Sequence, residues 1–144
     1  MTKVDGLWSG LLVLGLALAC VGSWAFAQSA GNPEMQLKTA IAHAGFAAKA
    51  DAVNGVTLHL HHVLNCMVGP QDTRFDAVAG NPCQGQGNGA LPDIKAKTGQ
   101  DLPYYEAWWV AQIASQGIAS KNLQEAKAAA HIVGLILHDA TKGK

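Results

Sequence analysis

The chain is predicted to be all-α: an antiparallel four-helix bundle with one long glycine-rich central loop stapled by a disulfide. Three observations predict this. Apolar and alanine residues recur every three or four positions through four separate stretches, which is the spacing of a buried helix stripe. No stretch alternates apolar with polar residues, and no Asn-Gly turn joins two apolar runs, so no strand is expected. Short joins between the first two and the last two stretches set neighbouring helices side by side in opposite directions.

The first segment, residues 1–27, is expected to be a cleaved signal peptide. Lys3 precedes an apolar run from Leu7 to Val21, and Ala25-Phe26-Ala27 forms an A-x-A cleavage site before Gln28. The run is too short for a convincing membrane span. Lipid attachment at Cys20 is the weaker alternative. Ala17 stands where a branched apolar residue is usual, and Trp24 and Phe26 make a poor polar tether. Cleavage leaves residues 28–144 as a single helical-bundle domain with all six histidines, exported to a periplasm. Formal net charge is zero with histidine neutral, so no basic field exists to hold nucleic acid. The same cut removes Cys20 and leaves Cys66 and Cys83, which in an oxidising compartment pair as a disulfide. Closing that loop contributes about 3 kcal/mol in the chain-entropy description.

Each helix has its own start and stop. Asn32-Pro33-Glu34 predicts a first helix to about residue 50: Asn32 caps, Pro33 occupies the first turn and Glu34 meets the positive end of the dipole. Its seam is Leu37, Ile41, Ala44 and Ala48, with His43 on a flank beside Ala40 and Ala47. A second helix spans about 52–68, with Val53, Val56, Leu60, Val63 and Met67 inward, and Gly69-Pro70 ends it. Residues 69–92 form the long loop, from which Phe75, Val78 and Leu91 could plug the bundle end. Residues 93–101 read as a polar join. Asp101 and Pro103 open a third helix to about 118, whose Tyr104, Tyr105, Trp108 and Trp109 are expected to cap the core. The last helix runs from about Ser120 or Asn122 to 140, with Leu123, Ala126, Ala130, Val133 and Leu137 in its seam. Ile132, Leu135 and Ile136 make it apolar nearly all round, so it is expected to be the most buried.

The candidate chemistry lies in the histidines. At 100° per residue, His59, His62 and Cys66 share one stripe of the second helix with Gly55, while His61 points away. Histidines occur on three of the four predicted helices, and bundles build metal sites from inward side chains on neighbouring helices. The expected site is therefore His59 and His62, helped by His43 and His131, holding copper or zinc for carriage or buffering. His131 and His138, seven residues apart, sit about 10 Å from each other along the axis and would need separate partners. Haem b is the alternative cofactor, with Met35 or Met67 as possible sulfur ligands; no Cys-x-x-Cys-His permits covalent haem. A di-iron carboxylate centre is disfavoured because no Glu-x-x-His occurs. No phosphate loop, nucleophile elbow or His-Glu-x-x-His is present, so no enzymatic role is expected. The other functional alternative is a ligand-free structural or interaction module.

Overall fold

Asn32 opens the first helix as its amide allows, accepting the Met35 N–H at 3.1 Å in the computed structural model, which describes residues 31–142. The predicted leader and Cys20 lie outside the described residues. Helix α1 (Pro33–Lys49) carries proline in its first turn and an exposed Glu34–Lys38 pair at 3.0 Å. Helix α2 (Val53–Val68) stops at Gly69, whose φ of 74° is one that side-chain-bearing residues avoid. A Cβ at Gly69 would also overlap the Asn88 carbonyl. Three further helices follow, α3 (Ala90–Thr98), α4 (Leu102–Ala119) and α5 (Leu123–Lys142). Asn122 Oδ1 accepts the N–H groups of Gln124 and Glu125 and so starts α5. The described residues contain no strand.

Four of these helices close on one another through a thin, alanine-rich core. Helix α1 packs on α2 and α5, and α4 packs on the same two, while α3 touches α1, α2 and α4. Ala40, Ala44, Ala47, Ala111, Ala114 and Ala126 are all essentially without solvent contact. Small side chains let backbones approach closely, and Gly117 carries this furthest. A Cβ there would lie 2.6 Å from Leu60 Cδ1 and 2.7 Å from Ala129 Cβ, so α4 reaches α2 and α5 only because the position is glycine. Bulk is supplied mainly from α2, by Val56, Leu60, Val63 and Met67, each fully buried.

Five expectations need correction. First, the described residues hold five helices: the join predicted to be polar is mostly α3, and the non-helical loop is 69–89. Leu91 and Ile94, three apart and buried, give α3 its only apolar stripe, too little to register against the glycine-rich run before it. Second, α5 is not the most buried element. Leu135 is 71% exposed and Ile132 47%, because packing covers only one side of the helix, and the buried helix is α2. Third, the α1 seam is Leu37, Ala40, Ala44 and Ala47, with Ile41 and Ala48 at its edge. Fourth, Val78 stands in solvent while Leu91 and Phe75 reach the core. Fifth, only Tyr104 and Trp108 of the aromatic cluster pack on the core, leaving Tyr105 and Trp109 about half exposed.

Two devices tie the loop to the helices. Cys66 and Cys83 form a disulfide with Cα atoms 5.3 Å apart, joining α2 to the far part of the loop. Asp93, buried at the start of α3, accepts from Gln36 Nε2 at 2.9 Å and from Asn88 through its N–H and its amide at 3.0 and 3.1 Å. A buried carboxylate is tolerable because three donors replace its water.

Candidate metal centre

His43 leaves α1 at the edge of its buried stripe, and His59 and His62 leave α2 one turn apart. The α1–α2 contact brings the three rings together at a half-buried site. His43 Nδ1 lies 3.2 Å from His59 Nδ1 and 3.1 Å from His62 Nδ1. One ligand nitrogen from each residue falls within 4.8 Å of the other two. His131 is exposed on α5 and does not belong to this group, and His138 is exposed as well. The expected four-histidine set is thus three residues from two helices.

The contact distances have a chemical reading. Four donors arranged tetrahedrally about zinc at about 2.0–2.1 Å stand about 3.3 Å from one another. The separations of 3.1 and 3.2 Å lie close to that edge. An imidazole nitrogen offers either one hydrogen or one lone pair, so three nitrogens facing inward cannot all satisfy each other. A single cation accepts all three lone pairs. The donor set therefore fits a borderline transition ion.

His62 is oriented by the loop. Its Nε2 lies 2.7 Å from the Ala79 carbonyl oxygen, which can only accept, so Nε2 carries the hydrogen. In the neutral ring Nδ1 is then the free lone pair, and it is Nδ1 that faces His43. Asn65 holds the loop in place. Completely buried, it donates to the carbonyls of Asp76 and Gly80 at 2.7 Å each and accepts the Asp76 N–H at 2.9 Å. Asp76 Oδ1 in turn accepts the N–H groups of Val78 and Ala79. Asp76 Oδ2 approaches His61 Nδ1 at 3.3 Å without making a hydrogen bond. His61 thus faces Asp76 and not the three-histidine group.

Burial and neighbouring imidazoles disfavour the protonated forms of His43 and His59. Burial, with repulsion from His62 and His59, lowers the His43 pKa from 6.5 to about 4. Burial and then His62 lower that of His59. Phe46 stands beside both, ring centroids 5.6 Å from His43 and 5.3 Å from His59. Gly55, on the stripe of His59 and His62, faces the end of α1: a Cβ there would meet Ala50 Cβ at 3.1 Å.

Sequence reasoning did not find Asn65, Asp76, Ala79 or Phe46. Asn65 carried a usable signal, being the one amide on the C-terminal half of α2, flanked by Leu64 and Cys66. A polar side chain in a fully apolar run needs partners. Ala79 contributes a main-chain atom, for which no side-chain signal exists.

Among the described residues no helix is long and apolar enough to cross a membrane. No protein family, curated protein or solved structure matches the chain.

Proposed function

We propose that the protein is an exported carrier or buffer of a transition-metal ion, copper or zinc, held by His43, His59 and His62. The observation that carries this is the convergence of one imidazole nitrogen from each residue to within 4.8 Å. Each residue has its part: His62 supplies a lone pair whose position is set by Ala79, and His43 and His59 supply lone pairs whose protonation is disfavoured by burial and by neighbouring imidazoles. The ion, when bound, supplies the chemistry of the site; the protein supplies selection and retention. Carriage fits better than catalysis because, among the described residues, no carboxylate joins the three-histidine group to handle protons. Export follows from the predicted leader, and the Cys66–Cys83 disulfide is consistent with an oxidising compartment.

The same proposal takes α1, α2, α4 and α5 as an antiparallel bundle. The three-residue joins at 50–52 and 120–122 leave room for little but a reversal of direction. Haem fits these histidines poorly. His43 Nδ1 stands 3.1–3.2 Å from those of His59 and His62, which leaves no space between the rings for a macrocycle. A ligand-free interaction module is favoured by one feature, the exposed Tyr105 and Trp109.

Metal content of the protein after mild purification, followed by Cu(II) and Zn(II) titration of the chelator-treated chain, tests the proposal. About one ion per chain is expected, and His59→Ala/His62→Ala should abolish binding while keeping its helical circular dichroism. A folded double variant that binds Cu(II) as well as the parent overturns the proposal and leaves the interaction module.

A further inference from the structure

We infer that an ion held by His43, His59 and His62 keeps one coordination position for a small anion from solution, making this an exchange site and not a closed structural one. The inference rests on the metal-binding proposal for the same residues and adds what completes the coordination shell.

Among the described residues the group offers three ligands, one from each histidine, and no fourth histidine, cysteine or carboxylate joins them. Structural zinc sites close with four protein ligands, whereas a site with three leaves the remaining position to water or another exogenous donor. The donors that follow on α2 and in the loop carrying Ala79 are committed. Cys66 and Cys83 are bonded to each other. The Asp76 carboxylate caps Val78 and Ala79 through one oxygen and faces His61 through the other. The Ala79 carbonyl takes the Nε2 hydrogen of His62.

Access and charge then choose the ligand. The three rings are only half-buried, so solvent reaches the site, and the neighbouring Phe46 is 52% exposed and contributes an apolar edge with no donor atom. Three neutral imidazoles leave the charge of a divalent ion uncompensated. An anion in the fourth position lowers that charge, as the carboxylates and thiolates of closed sites do. Exchange of such a ligand is also what carriage requires, since an acceptor must add a donor before the histidines let go.

The test is azide titration of the Cu(II)-loaded full chain, followed by visible and near-ultraviolet absorption, with protein-bound copper measured after gel filtration. A new azide-to-copper charge-transfer band that saturates while copper stays on the protein is expected. A loaded protein whose spectrum does not change at saturating azide overturns the inference and leaves metal binding intact. Copper stripped from the protein by azide overturns it as well. A chain that takes up no copper refutes the functional proposal itself, so the two failures are distinguishable.

Discussion

Asn65→Ala should separate the loop from the metal site without touching a ligand. The parent amide makes three hydrogen bonds to loop main chain, at 2.7, 2.7 and 2.9 Å, and is completely buried. At about 1 kcal/mol net for each bond, the substitution costs about 3 kcal/mol. Against a total stability of about 5–15 kcal/mol this is a large fraction, but the fold survives. For a domain of this size the melting midpoint should fall by about 10–15 °C. The loop remains tethered by the Cys66–Cys83 disulfide, so its loss of order is confined to the turn that carries Asp76, Ala79 and Gly80. Without a fixed Ala79 carbonyl, His62 can place its hydrogen on either nitrogen and turn about its side-chain bonds. Loss of an outer partner of this kind typically weakens metal binding by about 10–100-fold. The assays are thermal denaturation of the metal-free protein and competitive titration of Cu(II) or Zn(II), with circular dichroism as the control for helicity. A midpoint within about 2 °C of the parent would refute the latch, given about 4 °C per kcal/mol. Parent-like affinity in a clearly destabilised variant would refute the coupling of Ala79 to His62.

Two further outcomes are expected. Because the folded pKa of His43 lies near 4, below the ordinary 6.5, the unfolded chain binds the extra proton first; stability of the metal-free protein should be greatest above pH 6.5 and decline as pH falls toward 4. A proton NMR titration placing the His43 midpoint at or above 6.5 would contradict this. Gly117→Ala adds a methyl 2.6 Å from Leu60 Cδ1 and 2.7 Å from Ala129 Cβ. The overpacking, about 1–3 kcal/mol, should exceed the gain of about 1 kcal/mol in helix propensity, so denaturant unfolding should show a net loss, and a more stable variant would show that the α4 contact is looser than described.

Two helix boundaries, the start of α1 and the end of α2, were readable because they depend on residues next to one another. Asn32, Pro33 and Gly69 act on their own backbone neighbourhood, and each does in the fold what its chemistry predicts. The nine-residue α3 was not readable. Its helicity is supported from outside, by Asp93 gathering Gln36 and Asn88, and by Leu91 and Ile94 finding a core to enter.

What the amino-acid order determined by itself is local: an all-helical chain, the pairing of the two cysteines in 28–144, and two imidazoles, His59 and His62, on one stripe of one helix. Only the tertiary structure decided which third histidine meets them. His43 and His131 were equivalent candidates on paper, since both flank an alanine seam. A shift of one residue in the buried stripe turns a helix by about 100°, and that angle is set by how Ala40, Ala44 and Ala47 nest against neighbouring helices, not by α1 alone. That packing swings His43 against α2 and leaves His131 in solvent. The carbonyl of Ala79 belongs to the same category, because a main-chain oxygen acquires a role only when the folded loop aims it.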